Sequence, residues 1–295
     1  LLKLNFRSRS VCYGGLGAIA LAAVLWSSNL PSFSLSVQTT PSRPRLGDTI
    51  IVNLTPPTGK TAPTQIQVND KTYPIFSIDR HRARAMVPTT PLEKPGIREI
   101  KVPAERGMTN IQVNVADRKF RVQRINLPPG KAGVQATEIE LKQAAAFKAL
   151  VTPEKMWDGK FIAPNRGATG SPYGVRRYYN GVFAKDYYHR GLDYKGGYGS
   201  PVVTPAGGKV ALVGYEKQGF RVHGNVVGVD HGQGVVSIFL HLSKINVKEG
   251  QVLEAGDVIG AIGSTGASTG PHLHWGLYVN GAAVDPAQWL TSSIE

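Results

Sequence analysis

The chain has 295 residues, 41% of them hydrophobic, a formal charge of +14 and a single cysteine. That length and apolar content suffice for more than one packed core. One thiol excludes an intrachain disulfide framework and a thiolate metal site, so any metal must be held by histidine and carboxylate.

The charge is uneven. Residues 31–135 carry 16 Lys/Arg against 7 Asp/Glu, whereas residues 136–295 carry 15 against 13. The basic section suits either contact with something anionic or no more than a soluble basic surface.

In residues 1–30, Lys3, Arg7 and Arg9 precede an apolar run from Val11 to Trp26. A positive flank before an apolar core is the pattern of a secretory signal or an uncleaved membrane anchor. The run is short against the ~20 apolar residues of a spanning helix. Cys12 sits ahead of most of the run and is badly placed for lipid attachment.

Residues 31–126 read as a β module. Short alternating runs recur at Leu35–Gln38, Thr49–Leu54, Gln65–Val68, Tyr73–Ile78, Ala83–Val87, Arg98–Val102, Ile111–Val115 and Phe120–Ile125, with turn residues between them. This spacing predicts an antiparallel, immunoglobulin-like sandwich. Its one histidine, His81, has no catalytic neighbours in sequence. A linker and helix are expected over 127–160. Leu127-Pro128-Pro129-Gly130 breaks the chain, and Thr137-Glu138-Ile139-Glu140 has the form of a capping box opening a helix that ends near Leu150.

Residues 161–295 form a second all-β domain. Runs such as Lys209–Val213, Asn225–Val229, Val235–Leu240, Val258–Gly263 and Trp275–Val279 are separated by glycine turns. Six of the seven histidines fall here. In His272-Leu273-His274 the alternation of a strand puts both imidazoles on one face. They either share a metal, or one binds it while the other handles protons; solvated surface histidines are the plain alternative. In His189-Arg190-Gly191-Leu192-Asp193, a histidine and a carboxylate four residues apart can converge on one ion across a glycine turn. With one histidine of the His-x-His pair this makes two nitrogens and one oxygen. Three protein ligands plus a water is the arrangement of a catalytic zinc.

Several further segments complete a pattern: Ser171-Pro172-Tyr173-Gly174-Val175-Arg176, Gly199-Ser200-Pro201-Val202, His231-Gly232-x-Gly234, Phe239-Leu240-His241-Leu242-Ser243, and Gly263-Ser264-Thr265-Gly266 leading to Thr269-Gly270-Pro271-His272. In order and spacing these, with the two histidine motifs, resemble the lysostaphin-type (LytM-like) zinc metallopeptidases over roughly residues 165–290. The resemblance implies an antiparallel β catalytic domain with an open groove. It implies His189, Asp193 and His274 as zinc ligands, and His241 and His272 as the catalytic histidines. Arg176 matches an arginine near the site, and Asn225 and His231 are expected to line the groove. Phe239 and Ser237 depart from the family's Tyr and Thr, which removes one hydroxyl and keeps the other.

The implied function is a zinc-dependent endopeptidase that cleaves peptide stems or cross-bridges of bacterial peptidoglycan. The implied location is the exported cell envelope or periplasm, with the N-terminal segment as a signal peptide or anchor. The alternative is a non-enzymatic envelope regulator that activates another cell-wall hydrolase; the relatives of that kind have degraded ligand sets. The basic module would meet anionic wall polymer or a membrane surface, and it could also dock over the groove as a latency device. Nucleic acid is not expected, because the basic section lacks a recognition motif or aromatic interleaving.

Overall fold

The computed structural model describes residues 34–105, 107–126 and 134–294. The basic-flanked apolar run and the Leu127–Gly130 linker lie outside them. Among the described residues no helix is long and apolar enough to cross a membrane.

The N-terminal part is built from β1 (Ser36–Thr40), β2 (Thr49–Thr55), β3 (Gln65–Val68), β4 (Lys71–Ser77), β5 (Ala83–Pro88), β6 (Gly96–Ala104) and β7 (Gly107–Val115). In β3, Ile66 and Val68 are buried while Gln65 and Gln67 are exposed, the period of a sheet with one wet face. The strands pair in the order β1-β2-β5-β4-β3-β6-β7. Ile50, Val52, Ile66, Ile100 and Val115 fill the core that this sheet encloses. The sandwich expected from the sequence needs two separate sheets. Here β4 pairs with β3 through Lys71–Pro74 and with β5 through Ile75–Ser77, which joins the strands into one continuous sheet. The immunoglobulin-like label is therefore not supported, although the all-β character is.

The eighth alternating run leaves this sheet. β8 (Val122–Ile125) is followed by α1 (Glu138–Lys148), β9 (Ala168–Thr169), β10 (Arg176–Tyr179) and β11 (Val182–Phe183). β8 pairs in parallel with β10, and β10 and β11 form a hairpin, giving a three-stranded sheet. Helix α1 carries the capping box read from the sequence. The Thr137 side chain accepts from the Glu140 N–H, and the Glu140 side chain reaches back to the Thr137 N–H.

The C-terminal strands are β12 (Leu192–Lys195), β13 (Pro201–Val203), β14 (Gly208–Gly214), β15 (Asn225–Gly232), β16 (Val235–Ile245), β17 (Val252–Leu253), β18 (Val258–Ile262), β19 (Leu273–Val279) and β20 (Ala282–Val284), closed by α2 (Pro286–Thr291). Together with β9 they form a ten-stranded sheet whose main path runs β17-β14-β15-β16-β19-β12-β9. Its core includes Val227, Val229, Ile238, Phe239, Trp275 and Leu277. The fully buried Phe239 ring belongs to this core, so the hydroxyl absent there would have faced packed side chains.

The two β parts share packing. Ile50-Ile51-Val52 breaks the polar alternation because β2 is buried on both faces. Ile50 and Val52 enter the N-terminal core, whereas Ile51 and its cross-strand partner Met86 join the C-terminal core. Arg84, 1% exposed, donates to Gln233 Oε1 and to the Ile294 carbonyl. Arg118 pairs with Asp285 at 2.7 Å, and the Gln288 amide brackets the Thr49 backbone. Asn280 Nδ2 donates to the Met86 carbonyl at the C-terminal end of β19. His274 lies near the other end of that strand, six residues or about 20 Å away at the rise of an extended chain. These contacts tie the N-terminal part to the far end of β19, while β8 pairs with β10, next to the Val175 carbonyl that holds His189.

Candidate active site

The site is assembled by register. Asp193 on β12 stands directly opposite His274 on β19, and His274 in turn stands opposite Leu240 on β16. His241 follows Leu240, so three neighbouring strands bring the two histidine motifs and the third histidine together. His189 enters from the loop before β12 and is fixed by the Ser171–Val175 segment: its N–H donates to the Val175 carbonyl, and its Nδ1 lies 2.8 Å from the Pro172 carbonyl.

A carbonyl only accepts, so His189 Nδ1 carries a proton and Nε2 is left to act as a lone pair in the neutral ring. That Nε2 lies 3.0 Å from Asp193 Oδ1 and 3.0 Å from His274 Nδ1. The third side of the triangle, His274 Nδ1 to Asp193 Oδ1, is also 3.0 Å. Donor atoms bonded to one tetrahedral zinc at ~2.0–2.1 Å stand roughly 3.3 Å apart. The triangle therefore matches a two-nitrogen, one-oxygen cation site, and these three residues form such a group by composition as well. The backbone acceptor on His189 supplies the outer hydrogen bond that orients a metal-ligating imidazole.

Burial pushes the Asp193 carboxyl up, but the His189 and His274 nitrogens outweigh it and hold the group well below the usual carboxylate range. Burial lowers His274 to about 4. It lowers His241 to about 3, helped by the neighbouring His272 and His274.

His241 and His272 face this triangle in matching fashion. His241 Nδ1–H donates to the Thr265 carbonyl at 2.8 Å, and His272 Nδ1–H donates to the Gly270 carbonyl at 2.8 Å. Each ring is thereby fixed with Nε2 as its basic atom. The ring centroids are 4.8 Å apart, and His272 Nε2 is 4.0 Å from Asp193 Oδ1. His241 has φ +65°, a left-handed conformation that costs a non-glycine residue energy and occurs preferentially at functional sites.

The glycines around the site are required by close packing. A Cβ at Gly191 would lie 2.3 Å from the Trp275 carbonyl oxygen and 2.9 Å from His274 Nε2. A Cβ at Gly263 would lie 2.3 Å from the Ser243 nitrogen. Gly270, by contrast, borders open space. The loop thus packs tightly at Gly263, next to the strand that carries His241, and is open at Gly270 beside His272.

Three residues expected to contact substrate are engaged elsewhere. His231 is fully buried, with Nδ1 at the Gly207 carbonyl and Nε2 at Ser237 Oγ, which also accepts from Trp275 Nε1. Both ring nitrogens are satisfied inside the core. The Asn225 amide is used at both ends, accepting from the Glu216 N–H and donating to the Leu242 carbonyl. Arg176 donates to the Lys185 and Pro91 carbonyls and stacks on Phe183. Its neighbour Arg177 projects from the other face of β10, is held by the Tyr179 and Tyr187 hydroxyls, and is near enough to Asp193 for that carboxylate to help raise it. Sequence reasoning passed over Arg177 and over Thr265. The paired tyrosines before His189 and the hydroxyl inside the glycine loop were the available signals.

Residues 187–286 match peptidase family M23. A crystal structure of a candidate M23 peptidase from Pseudomonas aeruginosa is 31% identical, covers 84% of this chain and 95% of its own, and superposes with a TM-score of 0.63. The chain belongs to peptidase family M23, in agreement with the lysostaphin-type motifs. Among curated proteins, a metalloprotease of uncharacterized role from Haemophilus influenzae is 43% identical over 98 residues, 33% of this chain and 20% of that one. The peptidoglycan DD-endopeptidase ShyA from Vibrio cholerae is 41% identical over 97 residues, 33% of this chain and 22% of that one. The match thus spans about a fifth of the length of these curated relatives.

Proposed function

We propose that the chain is a zinc-dependent endopeptidase that hydrolyses peptide cross-links of bacterial peptidoglycan, exported to the cell envelope. The observation that carries this reading is the 3.0 Å triangle of His189 Nε2, Asp193 Oδ1 and His274 Nδ1 beside two further histidines. His189, Asp193 and His274 would hold zinc. When bound, zinc supplies Lewis-acid activation of water and of the scissile carbonyl. The substrate class is supported by the Vibrio cholerae relative that is named a peptidoglycan endopeptidase.

The protein's own residues provide the proton handling. His241 and His272 use their Nδ1–H groups on backbone carbonyls, which leaves Nε2 of each to accept a proton from water and, once protonated, to donate to the oxygen of the reacting carbonyl. Burial keeps His241 neutral at pH 7, the form a base requires. The open rim at Gly270 leaves backbone for an extended peptide to approach. The basic residues of the N-terminal module suit an anionic wall polymer or membrane surface. Binding to purified sacculi that weakens with salt would support that role.

The test is digestion of purified sacculi with mass spectrometry of the released fragments. The expected result is fragments cut at a peptide bond of the stem or cross-bridge. Intact sacculi, together with stimulation of a separate amidase, would instead favour a regulator. The complete donor set speaks against that outcome.

A further inference from the structure

Helix α1 brings a carboxylate into the interior where apolar contact alone would have docked it. Phe147 and Ala144 already bury its apolar side, Phe147 against Gly228. Yet Glu140 is fully buried as well. A buried carboxylate is costly unless its oxygens are satisfied. Here they accept from the Val222 N–H at 3.0 Å, from the His223 N–H at 2.6 Å and from the Thr137 N–H at 3.4 Å, and Oε1 pairs with His223 Nδ1. Burial pushes this carboxyl up, but the His223 and Val222 donors outweigh it and leave the group ionised at neutral pH. Thr137 adds a second tie from the same helix end, donating its hydroxyl to the Gly219 carbonyl at 2.8 Å.

The turn gripped in this way holds His241. The His223 carbonyl accepts the His241 N–H at 3.0 Å. Gly224 packs so closely on Thr265 that a Cβ there would lie 2.4 Å from its Oγ1, and the Thr265 carbonyl is the acceptor for the His241 ring. Backbone and ring of His241 are thus both fixed by what the 219–224 turn touches. The left-handed φ of +65° at His241 needs such support, since that conformation persists in a non-glycine residue only where surroundings over-determine it.

We infer that Glu140 is a positioning residue for His241, acting through the His223 backbone and the 219–224 turn. The inference rests on the catalytic role proposed for His241. It gives the helix between the two β parts a role in the reaction: α1 braces the catalytic histidine from behind.

The test compares Glu140→Ala and Glu140→Gln in the full chain with the unaltered protein. It reads amide hydrogen exchange at His241, zinc content, kcat and KM. Glu140→Ala should speed exchange at the His241 amide about tenfold or more while strands β2 and β5 keep their protection. Zinc content should hold, kcat should fall roughly 10- to 100-fold, and KM should change little, as expected when a reacting group is misplaced without loss of binding. Glu140→Gln retains a carbonyl acceptor for the Val222 and His223 N–H groups and should recover much of both losses. Unchanged His241 exchange in Glu140→Ala, or a fall in kcat matched by loss of zinc, would overturn the inference. If Glu140→Ala does not fold, Glu140→Gln decides alone, by an increase in His241 exchange smaller than that at Val222 but measurable; no increase at either amide overturns it. The exchange readout needs no turnover. A zinc-loaded wild type that leaves sacculi intact would refute the proposed function without touching the exchange comparison.

Discussion

Asp193 and His274 face each other across one antiparallel strand pair, with Oδ1 3.0 Å from Nδ1. The pairing ties the geometry of the candidate metal site to sheet register, because a one-residue slip would turn one of the two side chains to the opposite face. It also makes the carboxylate the shared partner of both imidazoles. Replacing Asp193 by Ala should abolish stoichiometric zinc binding and lower hydrolysis by at least about a hundredfold, more than the effect of losing an outer partner. Zinc analysis of the purified variant beside a sacculus digest checks both; a variant with full zinc content would contradict the assignment.

His241 and His272 lie outside the triangle, so their variants should separate chemistry from metal. His241→Ala and His272→Ala should each retain zinc and lose about 10²–10⁴ in kcat, the usual range for a proton-handling group. Loss of zinc in either variant would move that histidine into the ligand set.

Gly191 is where the His189–Asp193 turn touches β19. Gly191→Ala would drive a Cβ to 2.3 Å from the Trp275 carbonyl oxygen. Overpacking of this kind costs ~1–3 kcal/mol. The displaced strand pair should also lower zinc affinity. A thermal melt together with a zinc titration tests this, and an unchanged melt with unchanged affinity would show that the turn gives way freely.

The buried His231 should appear in the pH dependence of stability. Burial lowers it to about 4, against an ordinary value of 6.5. Between these values the unfolded chain binds more protons than the folded one. Stability from this group is therefore complete above pH 6.5 and is lost as the pH falls toward 4, by up to about 3 kcal/mol. His231→Gln should flatten the dependence of the denaturation midpoint on pH in that window. An identical slope in variant and wild type would mean that His231 is protonated in the fold.

The candidate metal-binding group was legible because its signal is local: a His-x3-Asp turn and a His-x-His strand fix relative positions within a few residues. The α1 capping box was legible for the same reason. Strand existence followed from alternation, but strand partnership did not. β8 has the same texture as the strands before it, yet it pairs with β10, which lies beyond the linker and helix. The continuous sheet also depends on β4 dividing its length between two partners, which alternation does not encode. Arg176, Asn225 and His231 were placed by motif alignment. Whether a polar side chain faces a groove or is consumed by the backbone depends on contacts made across the fold, such as Glu216 to Asn225 and Ser237 to His231. Glu140 was read as a cap and proved also to reach a turn more than 80 residues away.

Metal removal and reconstitution of the purified chain test the zinc assignment most directly. Bound zinc and the rate of peptide-bond cleavage in sacculi are measured on the same samples, after chelation and during zinc addition. The predicted result is one zinc per chain, with activity lost on removal and restored in proportion to zinc bound up to that stoichiometry. Cleavage that persists at full rate in zinc-free protein, or a chain that binds no zinc, would contradict it.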